Sequence, residues 1–216
     1  PMIELNKKKK IIEKIIDHYS YYGAKDFIIA GGYKFEIIKN YFKKYSKKNV
    51  SIKVINTGLN TLTGKRLFKL KKILSKDENF FLTYGDGLSS INLKKLYRFH
   101  INRRAIITMS AVKPPARFGE IFVKKNLITN FKEKPQLQKG WINGGFFVVN
   151  KKFFNFLDNR NVMLERDPMN MVIKTKKIFA YKHTGFWMCV DNLRDLENLK
   201  EHLKKYPSPW FNENRQ

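Results

Sequence analysis

A chain of 216 residues, 43% hydrophobic and 14% aromatic, carries enough apolar material for one large core or two small ones, which excludes a disordered tail. Its longest apolar runs, such as AIITMSAV at 105–112, are far shorter than the roughly 20 residues of a membrane-spanning helix, so no membrane partner is expected. The formal net charge of +26 asks for an anionic partner, but its 44 basic residues are mostly lysines in scattered runs with few arginines or aromatics between them; a nucleotide or sugar phosphate fits better than nucleic acid.

Ile11, Ile12, Ile15, Ile16 and Tyr19 recur on one face at helical spacing, and Gly23 is placed to stop that helix. DFIIAGGY (26–33) is a β-branched apolar run closed by two glycines, a strand followed by a turn. Phe35–Tyr45 returns to helical spacing, and VSIKVINTG (50–58) alternates as a strand entering a loop. A helix over Lys65–Leu74, a strand over Asn79–Tyr84 and a helix over Ile91–Ile101 capped by Ser89 or Ser90 follow. Strands alternating with helices at this spacing predict an α/β fold: a Rossmann-like, mostly parallel sheet flanked by helices. From Ala105 the rhythm changes. AIITMSAV, GEIFVKKNLITNFKE (119–133) and INGGFFVVN (142–150) read as strands with short links, a mixed or antiparallel extension. A short helix near 164–174, a strand at 178–183 and a helix near Asn192–Lys204 complete one domain over residues 1–216, with no repeat or linker dividing it.

FFLTYGDGL (80–88) ends an apolar strand on Asp86, held between Gly85 and Gly87. In open α/β sheets ligands bind beyond the carboxyl ends of the strands. A carboxylate there suits Mg²⁺, which takes one or two carboxylates and fills its shell with water and substrate phosphates. The alternative is an ordinary turn aspartate. Asp191, between an aromatic-rich strand and a helix in GFWMCVDNLRDLENL (185–199), is a second metal ligand or an N-cap, and Asp195 a first-turn charge. In NFKEKPQLQKGWINGGFFVVN (130–150), Glu133 suits sugar hydroxyls and Lys134 a phosphate, although Lys134 is also one surface lysine among many. Asn143, Gly144 and Gly145 open the next strand with an amide and bare backbone, suited to a hydroxylated ligand.

Two Thr-Gly pairs in NTGLNTLTGKRLFKL (56–70) frame a loop before a helix whose first amides are candidate anion donors. Arg66 there adds a fork for phosphate or base oxygens, or is simply a solvated first-turn arginine. His18, His100, His183 and His202 form no zinc-type pattern. Cys189 is the single cysteine, so no intrachain disulfide forms and a reducing compartment, by default the cytoplasm, is expected. Neither a G-x-S-x-G elbow nor a Walker lysine loop is present.

Taken in order, PMIE (1–4), YGAKDFIIAGGY (22–33), LTGKRL (62–67), FLTYGDG (81–87), PPARFGE (114–120), FKEKP (131–135), INGGFFVVN (142–150) and HTGFWMCVDNLRD (183–195) resemble the glucose-1-phosphate cytidylyltransferases, of the sugar-nucleotide pyrophosphorylase group. The resemblance implies a reaction of CTP with glucose 1-phosphate to give CDP-glucose and pyrophosphate, by in-line attack at the α-phosphorus. Related enzymes using UTP or dTTP, or a non-catalytic nucleotide- or sugar-binding relative, are the alternatives.

On this resemblance Asp86 and Asp191 would hold Mg²⁺, and Lys134 would bind the sugar phosphate, these three forming the catalytic set. Glu133, Asn143, Gly144 and Gly145 would line the sugar, and Arg66, Gly85 and Asp86 the nucleotide. Residues 1–104 would form the nucleotide half and 105–216 the sugar half. A homo-oligomer making deoxysugar precursors for surface polysaccharide (O-antigen) is implied. The family also carries a strand, a G-x-G-T-R loop and a lysine segment ahead of its match to PMIE. Those would lie before Pro1, so the chain as it stands is expected to be inactive or weak, with a gap in its sheet. Departures from the family are Met188 and Cys189, where a polar residue and proline are usual, and Asn56, where aspartate is usual.

Overall fold

The structure is a computed structural model that describes residues 1–5, 9–114, 120–124, 126–132 and 140–209. Its first half runs α1 (Ile11–Tyr21), β1 (Asp26–Gly31), α2 (Phe35–Lys44), β2 (Ser51–Asn56), α3 (Thr63–Lys69), α4 (Lys71–Leu74), β3 (Asn79–Thr83), β4 (Gly87–Ser89) and α5 (Leu93–Asn102). Its second half runs β5 (Ile107–Val112), β6 (Glu120–Lys124), β7 (Leu127–Lys132), β8 (Ile142–Asn150), a 3-10 helix (Lys151–Phe156), α6 (Asp167–Lys174), β9 (Ile178–His183), β10 (Trp187–Cys189) and α7 (Leu193–Lys205).

Helix α1 forms where the apolar spacing places it: Ile11, Ile12, Ile15, Ile16 and Tyr19 are all buried. Gly23 then takes φ +96° and donates its N–H to Ser20 O, satisfying a carbonyl of the last turn. Strands β1 and β2 pair in parallel from Asp26↔Ser51 to Gly31↔Asn56, with α2 as the crossover between them. Ile12 and Ile16 of α1 and Phe42 of α2 share a core with this pair. The helix predicted over 65–74 is two helices that start earlier and break at Leu70. Leu70 is buried, and its N–H bonds to Leu67 O, three residues back, which tightens the turn.

The central sheet has the order β3-β8-β5-β9. Strand β8 is antiparallel to both neighbours, so β3 and β5 run the same way, and β9 is parallel to β5. The apolar run of β8 is read by both faces. Phe146 and Val148 pack with α1, α5 and α7, while Phe147 and Val149 pack with Phe153 and Phe154 of the 3-10 helix and Met169 and Val172 of α6. A strand covered on both sides needs no polar alternation, hence the unbroken FFVV. Two short antiparallel pairs, β4 with β10 and β6 with β7, stand apart from it, and among the described residues no ladder joins β1–β2 to the central sheet.

The cap of α5 is Asn92, whose Oδ1 accepts the Lys95 N–H, and not Ser89 or Ser90. Ser89 is engaged elsewhere: its hydroxyl donates to Phe186 O and accepts the Ile91 N–H, so the helix starts two residues later than predicted. Among the described residues, no helix is long and apolar enough to cross a membrane.

Candidate active site

The β4–β10 ladder brings the two predicted carboxylates together. Its register sets Gly87 opposite Cys189, and one step further the Val190 N–H donates to Asp86 O at 3.0 Å. Asp86 and Asp191 therefore sit at the same end of the ladder and line one cleft of about 240 Å³. Burial pushes the half-buried Asp86 carboxyl above its ordinary range. A backbone hydrogen bond holds it down, and the Asp191 carboxylate pushes it up. The N-cap role considered for Asp191 belongs to Asn192, whose Oδ1 accepts the Asp195 N–H at 3.0 Å. Asp195 in turn accepts the Asp191 N–H at 3.2 Å, fixing the loop that presents Asp191.

Two carboxylates lining one cleft, one of them destabilised as an anion, could hold a divalent cation. Among the described residues no group of three or more acidic, histidine or cysteine side chains could hold a metal ion. That donor set suits Mg²⁺, which keeps waters and substrate phosphates in its shell, better than a four-ligand zinc site. Cys189 does not enlarge the set. Its Sγ lies 3.8 Å from Asp191 Oδ2, and burial, with Asp191 and Asp86 adding to it, pushes the thiol up to about 11, so it stays protonated at neutral pH.

The opposite wall is a bulge in β8. Met109 faces Phe147, but Ala111 faces Asn143, so β8 carries two more residues than β5 between these pairs. Gly145 turns the bulge at φ +77°, where a Cβ would come 2.8 Å from Tyr84 Cδ2. At Gly144 a Cβ would lie 2.5 Å from Ser110 Oγ. Asn143 holds the bulge by accepting the Gly145 N–H at 2.8 Å and donating Nδ2–H to Tyr84 Oη at 3.2 Å. The Tyr84 hydroxyl donates to Glu165 Oε1 at 2.5 Å, and Thr63 at the head of α3 donates to Glu165 Oε2 at 2.8 Å. Trp187 closes the ring, its indole N–H donating to Gly144 O at 2.7 Å. Tyr84, Glu165 and Trp187 carry much of this geometry and were not singled out in the sequence, though Tyr84 and Trp187 lie inside the YGDG and GFW segments that were.

Arg66 is brought to a different place, the carboxyl ends of β1 and β2. It donates to Thr57 Oγ1 at 2.6 Å and to Leu59 O at 3.3 Å, and a Cβ on Gly32 would lie 2.4 Å from its guanidinium. It is thus a docked arginine and not a solvated one. The anion-donor role expected of the helix start is partly taken: Gly64 N–H donates to Val162 O and Leu62 N–H to Asn161 Oδ1. A Cβ on Gly85 would lie 2.8 Å from Pro1 Cγ, so the chain packs closely at that glycine. Glu133 and Lys134 lie outside the described residues.

The cleft thus sets two carboxylates at the end of a short ladder against a glycine bulge of the central sheet. The family model for nucleotidyl transferases matches residues 1–205, and the chain belongs to that family. More particularly, it is similar to the glucose-1-phosphate cytidylyltransferase of Salmonella typhimurium (strain LT2), at 33% identity over 97% of this chain and 90% of that one. It is also similar to the probable glucose-1-phosphate cytidylyltransferase of Bacillus subtilis (strain 168), at 33% identity over 94% of this chain and 87% of that one. The fold matches the crystal structure of HddC from Yersinia pseudotuberculosis with a TM-score of 0.72 at 19% identity, covering 94% of this chain and 89% of that one.

Proposed function

We propose that this nucleotidyltransferase transfers a cytidylyl group from CTP to α-D-glucose 1-phosphate, giving CDP-glucose and pyrophosphate. The observation that carries the reading is the similarity to glucose-1-phosphate cytidylyltransferases over nearly the whole chain, through the segments that build the cleft. A phosphate oxygen of the sugar phosphate attacks the α-phosphorus of CTP in line; the bond to the β-phosphate oxygen breaks, and pyrophosphate leaves. No protein nucleophile is needed, so the chain's task is positioning and charge neutralisation.

Asp86 and Asp191 would hold Mg²⁺, whose contribution when bound is to neutralise charge on the phosphates. Arg66, fixed over the carboxyl ends of β1 and β2, would meet the nucleotide. The Asn143–Gly145 bulge and Tyr84 would shape the sugar side, with Lys134 on the sugar phosphate and Glu133 on its hydroxyls. A homo-oligomer is the expected assembly, measurable by light scattering after size exclusion. The deciding experiment is pyrophosphate release from CTP, UTP and dTTP, each with glucose 1-phosphate and Mg²⁺. Preference for CTP supports the reading. Preference for UTP or dTTP replaces it with a related pyrophosphorylase, and release with none of the three favours the non-catalytic binding relative.

A further inference from the structure

The short β4–β10 ladder has a second cleft at its other end. Beyond the Trp187↔Ser89 pair, the Ser90 N–H donates to Phe186 O at 2.8 Å, and there a cavity of about 530 Å³ opens. It is the larger of the two clefts and falls within the usual range for small-molecule sites, roughly 300–1,000 Å³. Its floor is polar and buried: Ser90 and His183 are 6% and 7% exposed. Gly185 allows that floor to form, since a Cβ there would lie 2.6 Å from Ser90 Oγ and 2.8 Å from His183 Cε1. One wall is aromatic. The rings of Phe186 and His202 stack with centroids 3.8 Å apart and planes 7° apart, and Tyr206 extends the wall with its centroid 5.1 Å from that of His202.

The two clefts have opposite charge. Among the described residues, the active-site cleft is lined by two carboxylates and no lysine, arginine or histidine. The second cavity is lined by Lys95 and Lys182 and, among the described residues, by no aspartate or glutamate. Helix α5, ten residues long, begins at this wall with Asn92 as its cap and no acidic residue in its first turn, so its positive end adds to the field. Burial lowers the His183 and His202 pKa values below the ordinary 6.5, so both rings are neutral at pH 7 and serve as hydrogen-bonding groups beside the two lysines.

We propose that this cavity is a second, anion-binding site, separate from the carboxylate cleft, for a small molecule bearing a phosphate or diphosphate group. Lys95 neutralises the phosphate, and Lys182 joins it by swinging from the Trp141 ring, whose centroid lies 5.5 Å from its ammonium. Thr184 offers a hydroxyl, as does Ser90, whose Oγ lies 3.4 Å from His183 Nε2, and the aromatic wall meets whatever the phosphate carries.

The chain holds four histidines, and only two of them line this cavity, which gives a local readout. Pyrophosphate is titrated into the protein in EDTA at pH 7 while the histidine ring resonances are followed by NMR. The resonances of His183 and His202 are expected to move saturably, and that of His100, buried against Thr108 and Asn79, to stay fixed. In a Lys95→Glu/Lys182→Glu variant the half-saturating concentration should rise at least about tenfold, as expected when two charge-assisted contacts become repulsive. A Lys71→Glu/Lys72→Glu variant on exposed α4 makes the same charge change elsewhere and should bind within about twofold of the unmodified chain. Both pairs of lysines are exposed, so both variants should fold. Static His183 and His202 resonances, or equal losses in the two variants, would overturn the proposal, the second by assigning binding to net charge. A nucleoside triphosphate titrated in parallel identifies the natural occupant: an added ring-current shift at His202 assigns a nucleotide, and an identical displacement assigns the bare phosphate. No turnover is measured, so failure here leaves the cytidylyl reading untouched.

Discussion

Replacing Gly145 with alanine tests whether the β8 bulge shapes the sugar side of the cleft. An L-residue held at φ +77° costs about 1–2 kcal/mol from its Cβ alone. The new methyl would also start 2.8 Å from Tyr84 Cδ2, so the ring must retreat by several tenths of an ångström. It has little room to do so, being packed edge-on against Phe147 with centroids 5.6 Å apart, and its hydroxyl is held by Glu165 and Asn143. Losing one or two of those bonds adds about 1 kcal/mol each. The expected destabilisation is about 2–4 kcal/mol in urea unfolding, seen as a lower midpoint with unchanged slope. In steady-state kinetics the KM for the sugar phosphate should rise more than that for the nucleotide, because the proposed function puts Tyr84 and Asn143 on the sugar side. A stability change under about 0.5 kcal/mol with both KM values unmoved would refute the argument that Gly145 is required for this contact.

Asp86→Asn and Asp191→Asn should each lower Mg²⁺-dependent pyrophosphate release by about a hundredfold or more and shift the Mg²⁺ titration to higher concentration; equal activity at all Mg²⁺ levels would remove these residues from the metal site. Arg66→Ala should raise the nucleotide KM and leave the sugar phosphate KM nearly unchanged, which initial-rate measurements separate. Stability should fall in acid. Burial holds His18 and His100 at about 4 against an ordinary 6.5, so the unfolded chain takes up protons that the folded one refuses. The full stability is present above pH 6.5 and is lost as pH falls toward 4, by about 3 kcal/mol for each residue, and urea midpoints across that window should trace the loss. Trp187→Phe leaves the Gly144 carbonyl without its indole donor and should cost about 1–3 kcal/mol by the same measurement.

The elements were legible wherever burial is one-sided or complete. The five-residue face of α1, the stop at Gly23 and the doubly buried FFVV of β8 follow directly from spacing and hydrophobicity. Side-chain competition was less visible. Ser89 looks like a cap until its hydroxyl is claimed by Phe186 O, a partner 97 residues away, and Asn92 takes its place. The carboxylates of Asp86 and Asp191 could be nominated because each follows a strand. That they meet depends on a three-pair ladder too short to announce itself. Tyr84, Glu165 and Trp187 stayed hidden for the same reason: each acts through a partner distant in sequence. Arg66 could be selected by its loop but not placed, since nothing local says that Thr57 and Leu59 hold it.

That three-pair ladder also sets an order of events when the chain is made. Asp86 leaves the ribosome about a hundred residues ahead of Asp191, a delay of roughly 5–20 s at ordinary rates of synthesis. Until β10 emerges, β4 has no ladder partner and Asp86 has no second carboxylate beside it. The cleft that Asp86 and Asp191 share therefore forms late in synthesis. A nascent chain can collapse around its hydrophobic segments before the two carboxylates share a wall, and the emergence of β10 is what brings them together.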